Sequence, residues 1–376
     1  MTQTTTAHAA VTQPAVTQPA MAQAPARPGA LLRVEHLVQR YRARGAVVHA
    51  VSDVSFDLLP GECLGLVGES GCGKSTTGRA ILQLPRPTAG RVVLDGEDLC
   101  ALDRRRLRHR RHRLQMIFQD PVAALNPRRR VRDLVVEGLD IQRQLPGGER
   151  AARADALLRD VGLDPELVGD RRPHELSGGQ CQRVAIARAL AVGPDVLVCD
   201  EPVASLDVSV QAQVLTLLAR LRAEHRLALL FVAHDLAVVR AVVDRVAVMY
   251  LGTIAEIGPV DAVYDTPAHP YTRALLDAVP VPDPAVDPEQ APSLTGELPS
   301  PLAPPSGCPF RTRCPRAADR CAAERPLPRA VGPDHHVACH FPLVDPLPDS
   351  TSGDGSHEDG FGRPAGAGER AGRDRA

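Results

Sequence analysis

The chain of 376 residues has no tryptophan, few aromatic residues and a single lysine. No apolar run approaches the ~20 residues of a membrane-spanning helix, and the run 227–232 has the length of a strand. The chain start has neither the basic residues nor the apolar centre of a signal peptide. A formal net charge of −1 gives no overall attraction to nucleic acid. These absences predict a cytosolic protein, which could still dock on a membrane partner.

The single lysine, Lys74, lies in a glycine-rich segment of a chain with 43 arginines. The pattern G-x-x-x-x-G-K-S is typical of a loop whose backbone N–H groups wrap nucleotide phosphates, while the compact ammonium reaches the β and γ oxygens. A guanidinium is too broad for that position. An apolar run, 63–67, precedes the loop and helical spacing follows it, which is the order the motif requires. The predicted ATP-binding residues of the loop are Gly68, Glu69, Ser70, Gly71, Cys72, Gly73, Lys74, Ser75 and Thr76.

An acidic pair, Asp200 and Glu201, follows a second apolar run, 196–199. A buried strand that ends in two acids places both at the carboxyl edge of the sheet, beside the phosphate loop. We predict that Asp200 holds Mg²⁺ together with the hydroxyl of Ser75. Glu201 is the predicted general base that orients the attacking water.

A second glycine-rich element opens a helix further along the chain. Serine followed by two glycines at a helix start exposes backbone N–H groups and the positive end of the helix dipole, which suits phosphate. One protomer does not need two such sites for one nucleotide. We therefore predict a head-to-tail dimer in which this element binds the partner's ATP. Its residues are Ser177, Gly178, Gly179 and Gln180.

These segments resemble the ATP-binding subunits of ABC transporters over residues 31 to about 280. The resemblance implies ATP hydrolysis with Mg²⁺ and makes 177–180 the signature motif. It implies that Gln119 is the Q-loop glutamine, which contacts Mg²⁺ and senses the membrane partner. By the same resemblance Asp207 belongs to the D-loop, His234 is the catalytic histidine at the γ-phosphate, and Tyr41 stacks on adenine.

Within that family, several segments are similar to the ATPases of oligopeptide/dipeptide importers, and more to the second of their two ATPase subunits. The similarity implies a homologous ATPase partner (a heterodimer, or a homodimer), two membrane permeases and an extracytoplasmic solute-binding protein, with no nucleic acid. Relatives carry nickel, glutathione or sugars, so these solutes remain alternatives to peptides. A soluble ABC ATPase in DNA repair or cluster assembly is a further alternative. The similar segments are 118–128, 177–183, 201–208 and 269–275.

Four of the nine cysteines fall close together near the end of the chain. A module this small buries little apolar surface and commonly needs a cross-link or a bound metal for stability. The wide spacing of these cysteines favours a [4Fe–4S] cluster over Zn²⁺. Three nearby histidines are possible ligands of Zn²⁺ and keep that alternative open. In the third alternative the cysteines bind no metal. The cysteines are Cys308, Cys314, Cys321 and Cys339, and the histidines are His335, His336 and His340.

Composition divides the chain into segments. The predicted fold is α/β: a P-loop, RecA-like ABC ATPase core with an antiparallel β part and a helical insertion, plus a small cysteine-containing C-terminal module. Proline-rich and low-complexity stretches mark a linker and two disordered tails. The segment 307–314 resembles the C-terminal extension of oligopeptide-type importer ATPases, which implies an ordered module of that type. The predicted segments are a tail 1–29, the ATPase domain 30–278 with its insertion at about 121–176, a linker 279–293, the oligopeptide-transporter-type C-terminal module 294–345 and a tail 350–376.

Overall fold

The structure is a computed structural model that describes residues 27–43, 45–144, 146, 148–279 and 296–347. Most of the predicted N-terminal tail and linker, and the whole C-terminal tail, lie outside these residues. One compact unit extends through Pro346, and a second begins at Leu347. Within the described ranges, no helix is long and apolar enough to cross a membrane.

A parallel sheet forms the centre of the unit. Strands β9, β3, β8, β7 and β6 lie side by side in that order, and every ladder between them is parallel. All residues of β3, β7, β8 and β9 are buried, because helices and further strands cover both faces. The predicted RecA-like core is confirmed. The strands are β1 (Leu32–Ala43), β2 (Ala46–Leu58), β3 (Cys63–Val67), β4 (Ala89–Leu94), β5 (Glu97–Asp98), β6 (Leu114–Ile117), β7 (Val196–Asp200), β8 (Ala228–Val232), β9 (Arg245–Tyr250), β10 (Thr253–Pro259), β11 (Arg329–Gly332) and β12 (His335–Val337).

Antiparallel strands extend this sheet on one side. Strand β1 pairs antiparallel with β2 and β4, and β4 pairs with β5. Strand β10 joins the two parts, because it pairs antiparallel with β9 and touches β2. The predicted antiparallel β part is therefore present.

Helices fill the stretch between β6 and α8, and the described residues there contain no strand. Arg132 and Arg150 tie the short helices together: Arg132 Nε lies 2.7 Å from Asp155, and Arg150 Nη1 lies 2.7 Å from Asp133. The predicted helical insertion is thus observed. The helices are α1 (Lys74–Ile81), α2 (Arg104–Arg110), α3 (Pro121–Ala124), α4 (Val131–Val135), α5 (Glu137–Gln142), α6 (Arg150–Asp160), α7 (Pro165–Val168), α8 (Gly178–Leu190), α9 (Val208–His225), α10 (Leu236–Arg240), α11 (Val260–Asp265), α12 (Pro270–Asp277) and α13 (Asp319–Ala323), with 3₁₀ turns at Arg111–Arg113 and Pro173–Glu175.

The C-terminal segment adds to the same sheet. Strand β12 pairs antiparallel with β10 and with β11. The fully buried carboxylate of Glu256, on β10, lies 2.7 Å from His335 Nε2 and accepts the backbone N–H groups of Ala268 and His269 at 2.8 Å each. A buried acid needs such partners, so Glu256 anchors β12 and the start of α12 to the body.

Candidate functional site

The glycine-rich loop between β3 and α1 approaches other backbone closely. A Cβ atom on Gly68 (φ +148°) would lie 2.2 Å from the carbonyl oxygen of Met249, and one on Gly73 (φ +109°) 2.2 Å from that of Ala50. Both φ values lie in the region that favours glycine. The loop therefore needs glycine at these positions to turn from the end of β3 into α1.

Lys74, the first residue of α1, is buried beneath this loop with 4% of its surface exposed. Its Nζ donates to the carbonyl oxygens of Gly68 at 2.7 Å and Glu69 at 2.9 Å. The loop therefore curls around a fixed point charge, which is the electrostatic arrangement that a phosphate group needs.

The predicted Mg²⁺ ligands Ser75 and Asp200 are brought together. Ser75 Oγ donates to Asp200 Oδ1 at 2.6 Å. Burial raises the pKa of Asp200, and the Ser75 hydroxyl and Arg79 partly oppose this effect. Asp200 Oδ2 is buried without a hydrogen-bond partner, and Arg79 Nη2 approaches it only to 3.8 Å. An orphaned buried carboxylate oxygen beside a hydroxyl fits a hard divalent cation.

Glu201 lies next to two further predicted site residues. Its Oε2 accepts from Gln119 Nε2 at 2.9 Å and lies 3.4 Å from His234 Nδ1. Glu201 has φ +46°, a left-handed conformation that a non-glycine residue adopts at a cost and that commonly marks functional sites. The carboxyl ends of β6, β7 and β8 position Gln119, Glu201 and His234, so the three side chains meet at one edge of the sheet.

A cavity of about 440 Å³, within the range of small-molecule sites, brings most of the predicted site residues together. Gly68, Glu69, Cys72 and Asp200 are not among its lining residues. The predicted residues that line it are Ser70, Gly71, Gly73, Lys74, Ser75, Thr76, Gln119, Glu201 and His234. Val48, Ala50 and Pro301 complete its wall. Tyr41 is not among the lining residues, but it pairs with Val48 across the β1–β2 ladder and is 36% exposed. The predicted contact of Tyr41 with adenine therefore stays a prediction.

The signature element lies apart from this cavity. Ser177 caps α8: its Oγ accepts from Gln180 N–H at 3.3 Å, and Gln180 Oε1 accepts from Ser177 N–H at 3.0 Å. None of the four signature residues lines the 440 Å³ cavity. A Cβ on Gly179 would lie 2.6 Å from Val210, so the signature packs against the start of α9, just after the exposed Asp207.

The four C-terminal cysteines do not form a metal site. In the part of the chain that the structure describes, no three or more His, Cys, Asp or Glu residues are placed to hold a metal ion. The iron–sulfur and zinc predictions are therefore unsupported. Burial raises the pKa of the thiols of Cys308, Cys314 and Cys339, in the last case to about 11.

Three residues at the loop and cavity were not predicted. The Arg313 guanidinium donates to both carboxylate oxygens of Glu69, Tyr271 Oη accepts the Glu69 N–H, and Pro301 lines the cavity. The sequence marks the segments that contain Tyr271 and Arg313, 269–275 and 307–314, only by their similarity to importer ATPases. Neither similarity predicts a contact of Arg313 with the phosphate loop.

Comparison with known proteins identifies relatives that cover 82% of this chain. A family model described as ABC transporter matches residues 51–204, and one described as Oligopeptide/dipeptide transporter, C-terminal region matches 255–321. A putative peptide import ATP-binding protein of Brucella ovis is 50% identical, over 82% of this chain and 97% of its own length. The oligopeptide transport ATP-binding protein OppF of Haemophilus influenzae is 47% identical, over 82% of this chain and 96% of its own.

Solved structures of ABC transporter proteins are similar to this chain in fold. A bacterial ABC transporter cassette, solved as a dimer, has a TM-score of 0.56 and 30% identity, covering 61% of this chain and 98% of its own. A second, from Clostridium perfringens and described as part of an ABC transporter complex, has a TM-score of 0.56 and 29% identity, covering 63% of this chain and 92% of its own.

Proposed function

The chain belongs to the ATP-binding subunits of ABC transporters, in the oligopeptide/dipeptide group, and from this membership we propose that its ATP hydrolysis powers peptide import. The observation that carries the proposal is the joint presence of the ABC transporter family match and the C-terminal region of this transporter group. The named relatives act in peptide import or oligopeptide transport. Nickel, glutathione and sugars remain alternative solutes, because no transported molecule touches this subunit.

The chemistry is an in-line attack of water on the γ-phosphorus of ATP: the new P–O bond forms, the bond to the β,γ-bridging oxygen breaks, and ADP and inorganic phosphate leave. Backbone N–H groups of 68–76 grip the phosphates, and Lys74 neutralises charge there. The family uses ATP with Mg²⁺, which neutralises the β and γ phosphates; Ser75, Asp200 and Gln119 would hold it. Glu201 orients the water and takes its proton. Gln119 holds the carboxylate of Glu201, and His234 lies beside it, ready to contact the γ-phosphate.

The active unit is a head-to-tail dimer of two ATPases. The signature serine and Asp207 are exposed and lie outside the protomer's own cavity, which supports their action on the ATP of a partner. We propose a homologous second ATPase as the partner, with a homodimer as the alternative. Two permeases in the cytoplasmic membrane and an extracytoplasmic binding protein complete the complex, and this subunit sits at the cytoplasmic face.

Co-purification from detergent-solubilised membranes tests this assembly. A tagged chain should bring with it two polytopic membrane proteins and one homologous ATPase, and the complex should hydrolyse ATP. Recovery of the chain with DNA-repair or cluster-assembly proteins, and without a membrane protein, would favour a soluble ABC ATPase instead.

The C-terminal thiols raise a second candidate property, a [4Fe–4S] cluster, with Zn²⁺ as the alternative. The backbone N–H of Cys308 donates to the carbonyl oxygen of Cys321 at 2.8 Å. Burial raises the pKa of Cys339, and the thiols of Cys308, Cys314 and Cys321 add to this effect; both observations support the proximity of the cysteines. Their described placement does not form a ligand group, so the side chains would have to move to bind a metal. Elemental analysis of protein prepared without oxygen decides: about four iron atoms per chain support the cluster, one zinc supports the alternative, and neither metal refutes both.

A further inference from the structure

The segment that follows the linker region reaches back to the nucleotide site at two points. Pro301 lines the cavity, and its carbonyl oxygen accepts the backbone N–H of His49 on β2 at 2.9 Å. Arg313 contacts Glu69 in the phosphate loop, 244 positions away in sequence. Part of the ATP site is therefore built from a segment beyond the ATPase domain predicted from the sequence.

The contact between Arg313 and Glu69 is a two-pronged ion pair. Arg313 Nη1 and Nη2 donate to the two carboxylate oxygens at 2.6 and 3.0 Å. Only 4% of the Arg313 side chain is exposed, against 26% for Glu69. Paired guanidinium and carboxylate groups in this parallel geometry form strong, directional bonds, so the pair fixes the position of the loop.

Each polar group of Glu69 is held, and each by a different element. Its backbone N–H donates to Tyr271 Oη at 3.0 Å, and its carbonyl oxygen accepts from Lys74 Nζ at 2.9 Å. Its carboxylate binds Arg313. Glu69 thus connects the C-terminal segment directly to the lysine that grips phosphate.

An aromatic cluster holds Arg313 in place. Phe310 packs against Tyr250 with ring centroids 5.2 Å apart and against Tyr271 at 5.3 Å. The Arg313 guanidinium carbon lies 5.9 Å from the centroid of the Tyr250 ring, within the range of a cation–π contact. The cluster therefore ties the end of β9, α12 and the C-terminal segment together beneath the phosphate loop.

The charges explain why this pair matters for ATP. Glu69 does not itself line the cavity, but it lies in the loop that binds a polyanion, next to the lining residue Ser70. An unpaired carboxylate so close to the phosphate site would disfavour binding by like-charge repulsion. We propose that Arg313 is a positioning residue of the ATP site: it neutralises Glu69 and fixes the loop for phosphate, so the C-terminal segment is a required part of that site. This inference rests on the proposed binding of ATP.

A set of four variants tests the proposal through the affinity for a fluorescent ATP analogue. Arg313→Gln leaves Glu69 unpaired and should weaken binding at least tenfold. Glu69→Gln removes the carboxylate charge but leaves the buried Arg313 guanidinium without its ionic partner, so it should weaken binding, though less than Arg313→Gln does. The double variant leaves neither charge unpaired, so it should recover part of the affinity lost in Arg313→Gln, although the ion pair that fixes the loop is gone. Arg311→Gln is the matched control and should bind as wild type, because the Arg311 guanidinium donates to the carbonyl and hydroxyl oxygens of Ser306 within the same turn.

The double variant separates charge compensation from a merely structural role. If Arg313 only supports the fold, removing the charge of Glu69 cannot restore affinity, so a double variant as weak as Arg313→Gln would overturn the proposal. Wild-type affinity in Arg313→Gln, with an unchanged unfolding temperature, would also overturn it. Failure of the wild-type chain itself to bind the analogue would instead refute the proposed function.

Discussion

The carboxylate of Glu201 is the group that we propose as the base in ATP hydrolysis. Replacing it in Glu201→Gln keeps its shape but removes the base, and the amide can still contact Gln119 and His234. We expect ATP binding to persist while turnover falls more than a hundredfold, a loss of roughly 3 kcal/mol of transition-state stabilisation. A steady-state ATPase assay measures this. Glu224→Gln, an exposed change on α9, is the control, and turnover within tenfold of wild type would show that Glu201 is not the base.

The buried ammonium of Lys74 is a second group at which we expect even a conservative substitution to reduce ATP binding and hydrolysis. Lys74→Arg keeps the charge, but the planar guanidinium does not fit the space beneath the loop, where Nζ already bonds two carbonyl oxygens. We expect ATP affinity and hydrolysis to fall at least tenfold without loss of the fold. Titration with nucleotide and a thermal unfolding curve test both parts. Arg108→Lys, on the exposed face of α2, should change neither, and normal activity in Lys74→Arg would contradict this account.

The residues of the phosphate loop and of the acidic pair could be predicted because the functional residues of each site are adjacent in the sequence. Gly68–Thr76 and Asp200–Glu201 each follow a short apolar strand, so local spacing carries the signal. Arg313 could not be predicted. It is one of 43 arginines, and its partner lies in a distant part of the chain, so its role arises only when the sheet and the aromatic cluster bring them together.

Among the secondary-structure elements, buried strands were the most predictable. The apolar run 63–67 is β3 as observed, and 227–232 differs from β8 by one residue at its start. The helical insertion was predicted by resemblance rather than by periodicity, and its helices proved short and held by ion pairs. The short strand β12 had no signal of its own, because three residues are too few to show an alternating pattern.

Helix α12 begins beside a buried histidine whose protonation opposes folding. His269, 2% exposed, accepts the Tyr271 N–H through Nδ1 at 3.0 Å. Burial lowers its pKa to about 4, although the carboxylate of Glu256 acts in the opposite direction. The unfolded chain therefore binds this proton more tightly than the folded one does. Stability from this group is complete above the unfolded pKa near 6.5 and falls as the pH drops towards 4.

We expect this titration to lower the free energy of unfolding by up to roughly 3 kcal/mol between pH 6.5 and 4. Urea unfolding at a series of pH values measures it. His269→Asn keeps a capping side chain without the titration, so its stability should vary less over this interval. His225→Asn, at the exposed end of α9, should follow the wild type. Equal pH dependence in wild type and His269→Asn would exclude His269 as the cause.

At the scale of the whole molecule, the ATPase body and the C-terminal segment behave as parts of one compact unit. The sequence suggested separate segments joined by a proline-rich linker. In the structure, β12 extends the central sheet, Glu256 anchors it, and Arg313 and Pro301 reach the ATP site. Composition reveals where a chain changes character, but long-range strand pairing and ion pairs leave no trace in local composition.

Peptide uptake by the assembled transporter tests the central claim most directly. The purified complex in proteoliposomes, given ATP on the side of this subunit and labelled peptide with its binding protein on the other, should accumulate peptide against its gradient. Both accumulation and peptide-stimulated ATP hydrolysis should disappear when this subunit carries Glu201→Gln. ATP hydrolysis by an intact wild-type complex that transports none of the peptides its binding protein retains would contradict the account.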